Sequence, residues 1–132
     1  MKLLLQLLLI FISVELFAPN LNDFIVVKDE PISYYEILAD AVVMVESRGN
    51  PLAYNPDEGA VGAFQIRQIR VDDYNKKTNN NYKVEDFYDL ELSRECFLYY
   101  ARINKEPELI AKRWNGSGPK TIEYWRKVKK YL

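Results

Sequence analysis

The feature that most constrains this chain is an apolar run, residues 41–45, that ends on an acid, Glu46. Gly49, Asn50 and Pro51 follow almost at once. Gly and Asn tolerate the left-handed backbone that ends a helix, and Pro cannot continue one. The pattern therefore predicts a buried helix whose last turn carries Glu46. Because burial disfavours a carboxylate and raises its pKa, Glu46 is a candidate general acid.

The loop after this helix is expected to come close to other groups. Gly59 and Gly62 are small residues three positions apart, which suits a close backbone approach or a turn with positive φ. Gln65 is an amide between Phe64 and Ile66. If it is buried it needs hydrogen-bond partners, and a sugar hydroxyl or acetamido group is one option.

Apolar residues recur at helical spacing along the rest of the chain, which predicts a mainly α fold with at most a trivial hairpin. The first helix begins at Pro31 and ends near Ser47. A short second helix covers residues 64–74, with Phe64 and Ile69 facing inward, and residues 75–83 form a loop.

Three further helices are expected. Asp89 can cap the first of them, and Pro107 can open the next. Residues 116–119 break the chain before the last helix. We see no internal repeat.

The composition narrows the possible chemistry. The 132 residues suit one domain, and a net charge of -1 gives no overall attraction to nucleic acid. The chain has no histidine, which excludes serine–histidine and cysteine–histidine catalysis as well as histidine metal sites. Cys96 is the single cysteine, so no internal disulfide can form. We expect neither a metal nor a cofactor.

The first 18 residues are typical of an export signal. Lys2 precedes an apolar stretch that Glu15 ends before it reaches the roughly 20 residues of a membrane-spanning helix. Leu16 and Pro19 make a poor cleavage site, so an uncleaved N-terminal anchor is the alternative. Residues 19–30 are then a linker, and residues 31–132 are the domain, exported to the periplasm or cell envelope.

Two motifs together resemble a known family. Glu46-Ser47, followed by Gly59-Ala60-x-Gly62-x-x-Gln65-Ile66, is similar to the signature of soluble lytic transglycosylases, lysozyme-like enzymes that cleave peptidoglycan. The resemblance covers residues 35–132 and continues to Asn115 and Tyr124. The chain departs from the family pattern at Asn55, where a serine is common, at Ala63-Phe64 and at Arg113-Trp114.

The resemblance implies a lysozyme-like helical domain with a central buried helix ending at the catalytic Glu46. Glu46 would protonate the bond between N-acetylmuramic acid (MurNAc) and N-acetylglucosamine (GlcNAc). The substrate's acetamido group would stabilise the resulting cation, as in other substrate-assisted glycosidases. Glu46 would then take the proton from the muramic C6 hydroxyl, and a 1,6-anhydro sugar would form without water.

The resemblance also implies which residues surround the substrate, although each has an ordinary structural role as its alternative. Ser47 could bind the acetamido group or end the helix, and Gln65 could line the groove or bond within its loop. The other expected substrate-binding residues are Asn115, Tyr124, Phe64 and Trp114. Gly59 and Gly62 shape the loop under either interpretation.

Other functions stay open. A hydrolytic muramidase would use the same fold and acid, with water as the attacking group. The sequence hardly separates these two enzymes. An ordinary retaining glycosidase also uses a second carboxylate, but Asp57 and Glu58, the other acids within the signature, are expected to be solvated loop residues. A third alternative is a non-catalytic glycan-binding component of an envelope-spanning machine. The expected partners are peptidoglycan strands and a secretion, conjugation or phage apparatus, and a membrane only through an uncleaved N-terminal segment.

Overall fold

Helices make up most of the computed structural model, which describes residues 33–132. The predicted mainly α class is confirmed. The predicted signal or anchor (1–18) and linker (19–30) lie outside the described residues. The elements, in chain order, are α1 (Tyr34–Glu46), β1 (Tyr54–Asn55), β2 (Ala60–Val61), α2 (Gln68–Thr78), a 3₁₀ helix (Val84–Tyr88), α3 (Leu90–Asn104), α4 (Pro107–Asn115) and α5 (Lys120–Val128).

Helix α1 lies at the centre of the helical packing, where it contacts α3, α4 and α5. Ser33 caps its start by accepting a bond from the Tyr35 N–H, and Leu38 and Val42 are wholly buried on its inner side. One face still meets solvent, because Met44 is 38% exposed. The helix ends at Glu46 as predicted, but it begins at Tyr34, after its cap Ser33, rather than at Pro31.

A tight hairpin follows α1. Tyr54 pairs with Val61, and Val61 then exchanges two backbone hydrogen bonds with Ile66, at 3.0 and 2.9 Å. This closes residues 62–65 into a turn. Gly62 has a φ of +73°, and a Cβ there would lie 2.2 Å from the carbonyl oxygen of Phe87, so only glycine fits.

The predicted second helix was placed wrongly. The paired backbone of Val61 and Ile66 keeps the chain in a turn, so α2 covers Gln68–Thr78 rather than residues 64–74. Phe64 is buried as predicted, although it lies in the turn, whereas Ile69 is 75% exposed.

The boundaries of the last three helices follow their local signals. The Asp89 carboxylate accepts a bond from the Leu92 N–H at 2.8 Å and caps α3. Pro107 occupies the first turn of α4, and residues 116–119 separate α4 from α5. These three boundaries are confirmed.

Three aromatic rings pack together in the core. Phe64 stacks on Phe97 with ring centroids 5.4 Å apart, and Trp114 meets Phe97 edge-on at 5.0 Å. The Trp114 indole N–H donates to the Phe64 carbonyl oxygen at 3.1 Å, so the turn and α4 are tied together. None of the helices described here is long and apolar enough to cross a membrane.

Candidate active site

The last residue of α1 meets a tyrosine from α5. The Tyr124 hydroxyl donates a hydrogen bond of 2.7 Å to Glu46 Oε1. Burial raises the pKa of Glu46 from 4.5 to about 7, although the Tyr124 bond and the nearby charge of Arg67 lower it and the charge of Glu58 raises it further. Burial and the adjacent Glu46 likewise raise the pKa of the Tyr124 phenol, so the tyrosine stays a donor.

Glu46 opens into a polar cleft of about 110 Å³. We call this cavity the Glu46 cleft; it is lined by Glu46, Asn55, Glu58, Gln65, Arg67, Trp114 and Asn115. Three residues predicted to bind substrate, Gln65, Trp114 and Asn115, are thus brought together with the predicted acid. They come from the hairpin turn and the end of α4.

Gln65 is held in the left-handed region with a φ of +51°. A non-glycine residue there costs roughly 1 kcal/mol, which the surrounding structure must offset. The turn around it does so, because the Gln65 side-chain amide donates to the Gly62 carbonyl oxygen at 3.0 Å and its backbone N–H donates to the same oxygen at 3.1 Å. Both roles considered for Gln65 therefore coexist, since it bonds within its loop and also lines the cleft.

Two arginines hold the end of α4 against the hairpin side of the cleft. Arg67 donates to the backbone oxygen of Asn115 at 3.4 Å, and Arg70 donates to those of Arg113 and Trp114 at 3.1 and 3.4 Å. Cations at a helix C-terminus bond its free carbonyl groups and complement its dipole. These contacts position Asn115 beside Glu46.

Two predicted contact residues have other surroundings. The Ser47 hydroxyl lies 2.8 Å from the Ala63 carbonyl oxygen, to which it donates, and thereby ties the end of α1 to the turn. Phe64 has 0% exposure, with its ring packed against both Phe97 and Trp114, so the prediction that it contacts substrate is wrong. The two glycines keep their expected loop role, with Gly59 at a φ of +60°.

Three residues of the cleft were not predicted as site residues. Asn55 lines it at the position where the family commonly has serine. Glu58 lines it too, paired with Arg67 at 3.7 Å and with a side chain 56% exposed. Asn55 and Glu58 both lie within the signature, but Glu58 was expected to be solvated and Arg67 had no signal, because charged loop residues are usually solvated.

Two further cavities adjoin the cleft. One, of about 280 Å³, shares Asn115 with it and is also lined by Lys120 and Tyr124. The other, of about 320 Å³, shares Arg67 and continues to Arg70. Residues of the Glu46 cleft therefore also border cavities on either side of it in the chain's surface, at Arg67 and at Asn115.

The chemistry available in this cleft is proton transfer and hydrogen bonding. It offers three side-chain amides and a carboxyl group that is half protonated near neutrality and held by the Tyr124 phenol. Among residues 33–132, no cluster of acids and cysteines is arranged to hold a metal ion. No protein-family model matches this sequence, and no curated protein or solved structure matches it.

Proposed function

We propose that this chain is a peptidoglycan lytic transglycosylase with a lysozyme-like domain, and that Glu46 serves first as acid and then as base. The observation that carries the proposal is the partly buried Glu46 carboxyl, with a pKa raised to about 7, which accepts a bond from the Tyr124 hydroxyl and faces a cleft shared with Gln65 and Asn115. A catalytic acid works best when its pKa lies near the operating pH. The combination resembles the site implied by the sequence motifs.

The reaction begins with proton transfer from Glu46 to the glycosidic oxygen between MurNAc and GlcNAc. The bond from C1 of MurNAc to that oxygen breaks, and GlcNAc leaves with the proton as a free hydroxyl. The MurNAc acetamido oxygen stabilises the positive charge at C1. Glu46, now a carboxylate, removes the proton of the C6 hydroxyl while O6 bonds to C1. The products are a 1,6-anhydroMurNAc end and a GlcNAc end, and no water is consumed.

The neighbouring residues have separate tasks in this proposal. Tyr124 orients Glu46 and stabilises its carboxylate form between the two proton transfers. The amides of Asn55, Gln65 and Asn115 bond sugar hydroxyl and acetamido groups. Trp114 is only 6% exposed, so we assign it a role as the wall of the cleft rather than as a stacking platform.

The setting proposed for the enzyme follows from its substrate. The domain acts outside the cytoplasm, in the periplasm or cell envelope, with residues 1–18 as signal or anchor. Its partners are glycan strands and a secretion, conjugation or phage apparatus that needs a local opening in the wall. That last assignment is an analogy at the level of the fold.

One observation favours a second candidate function. Glu58 lines the same cleft as Glu46, and a hydrolytic muramidase needs a second carboxylate to activate water or to attack C1. The pairing of Glu58 with Arg67 and its exposure favour a role in tuning the cleft, so we rank hydrolysis second. A non-catalytic glycan-binding role ranks third.

Product analysis on purified peptidoglycan separates the three functions. The transglycosylase releases 1,6-anhydro ends, and the hydrolase releases products heavier by one water, which mass spectrometry resolves. Glu46→Gln should lower the rate by about 10²–10⁴-fold because it removes the proton donor. Unchanged cleavage by that variant would contradict the mechanism. Glu58→Gln should still release the anhydro product. Loss of all cleavage in this variant would favour the hydrolase. A wild-type protein that cleaves nothing would favour the binding role.

A further inference from the structure

A further cavity, of about 230 Å³, shares Trp114 with the Glu46 cleft. It is formed where α2, α3 and α4 meet. We call it the basic pocket, after the three cations Arg70, Lys77 and Arg113 that line it together with Tyr100 and Trp114. None of these cations has a part in the proposed reaction.

The positive charge of the basic pocket is only partly cancelled. Lys77 pairs with Asp73 at 2.7 Å. Arg70 donates to the backbone oxygens of Arg113 and Trp114, and the Arg113 side chain donates to the side-chain oxygen of Asn104. Those acceptors are neutral, so three cations face one carboxylate and the pocket favours an anion.

The pocket is also rigid. The Arg70 guanidinium lies 4.6 Å from the ring centroid of Tyr100 and 4.8 Å from that of Trp114, stacked against both. The Tyr100 hydroxyl donates to Asp73 at 2.6 Å, which fixes this acid beside Lys77. A guanidinium held in place loses little freedom when it binds a carboxylate, and Arg is well suited to that geometry.

The position of the pocket connects it with the substrate. Trp114 lines both the basic pocket and the Glu46 cleft. Arg70 and Asp73 also line the cavity that reaches Arg67 at the edge of the cleft. A branched ligand with its sugar in the cleft could therefore place a side arm in the basic pocket.

We propose that the basic pocket binds a carboxylate of the peptide stem that peptidoglycan carries on its muramic acid. The inference rests on the proposed function, which supplies the glycan in the cleft. Peptide stems bear free carboxylates on the α-carbon of their γ-linked glutamate and at their terminus, and such groups form charge-assisted bonds with guanidinium and ammonium donors. The pocket thus makes the chain selective for strands that still carry their peptides.

Calorimetric titration of the full chain tests this inference without turnover. The probe is N-acetylmuramyl-L-alanyl-D-glutamate, compared with the same molecule in which both carboxylates are carboxamides. We expect the acid to bind about 10-fold more tightly than the amide at low salt, which corresponds to roughly 1.4 kcal/mol. The double variant Lys77→Gln/Arg113→Gln should lose this preference. Arg70 is left unchanged because it also holds the end of α4.

The control is the double variant Lys76→Gln/Arg102→Gln, which removes one exposed lysine of α2 and one exposed arginine of α3 that do not line the pocket. It should keep the preference for the acid. Equal affinity for acid and amide in the wild type, or an unchanged preference in the Lys77/Arg113 variant, would overturn the inference. A short glutamate-rich peptide without sugar that binds as tightly as the muramyl probe would overturn it as well, in favour of an acidic protein partner.

The two proposals can fail separately. Anhydro products from peptidoglycan together with equal binding of acid and amide would reject the stem pocket and leave the enzyme intact. Absence of cleavage together with an acid preference that maps to Lys77 and Arg113 would reject the transglycosylase and, with it, the assignment of the pocket to a substrate stem.

Discussion

At Glu46, burial and the Tyr124 hydroxyl act on the same proton in opposite directions. Burial favours the protonated carboxyl, whereas the hydrogen bond from Tyr124 favours the carboxylate. The enzyme proposed here needs both forms in each turnover, because one gives a proton and the other takes it back. A pKa near 7 serves the two steps about equally.

The pH dependence of cleavage should follow this balance. Activity requires the protonated acid at the start, so kcat/KM should fall as pH rises through about 7. Tyr124→Phe removes the bond that lowers the pKa of Glu46, and the falling limb should move to higher pH. Glu58→Gln removes a charge that raises that pKa, and the limb should move to lower pH by a smaller amount. Limbs that move in the same direction in both variants would contradict the assignment of the acid.

Glu46 should also cost stability at neutral pH. Its pKa is about 7 in the folded chain and 4.5 in the unfolded one, so the folded state holds more protons between these values and loses stability as pH rises through them. Across that window the loss approaches about 3 kcal/mol. Relative to wild type, Glu46→Gln should therefore gain free energy of unfolding from pH 4.5 to pH 8. Urea titrations at both pH values measure this, and a pH-independent difference would argue against a buried acid.

At the scale of elements, the end of the first helix could be predicted from the sequence, whereas the turn that follows the hairpin could not. The end of α1 could be predicted because its signals are local: an apolar run, an acid, and residues that stop a helix. The start of α2 could not, because the pairing of Val61 with Ile66 keeps Phe64 and Gln65 out of the helix. This pairing depends on which residues the hairpin brings next to each other. The spacing of apolar residues along the sequence does not contain that information.

The turn at Gly62 should tolerate no side chain. Gly62→Ala should lower the free energy of unfolding by about 2 kcal/mol or more, because it combines a positive φ with a clash against the Phe87 carbonyl. Gly59→Ala is the matched control, since it has a φ of +60° but open space around it, and should cost only roughly 1 kcal/mol. Thermal unfolding compares the two, and equal costs would show that the close approach at Gly62 is unimportant.

At the scale of the whole molecule, the core and the cleft share a support. Phe97 from α3 packs against Phe64 in the turn and against Trp114 on α4. The turn carries Gln65 and the end of α4 carries Asn115. The Phe97 ring therefore supports both segments that line the cleft. Long-range contacts of this kind explain why the sequence could suggest Glu46 and Gln65 but not Arg67 or Glu58 as their neighbours.

A conservative change at Phe97 should therefore affect activity as well as stability. Phe97→Leu should cost about 1–2 kcal/mol of stability and should lower kcat, because the turn and α4 shift into the space left by the ring. Phe87→Leu is the control: its ring is also fully buried but packs against Tyr74 and Tyr82, and it should lose similar stability with a smaller effect on kcat. Equal effects on kcat would mean that the ring of Phe97 has no special part in shaping the cleft.

The position of Trp114 between two cavities has a practical consequence. Its ring borders the Glu46 cleft and the basic pocket, and its N–H is fixed on the Phe64 carbonyl. The chain has one other tryptophan, Trp125, so replacing that residue with phenylalanine would leave a single fluorophore between the two sites. Its emission would then change when either a sugar or a peptide arm arrives, and the order of the two arrivals could be followed in real time by stopped-flow mixing.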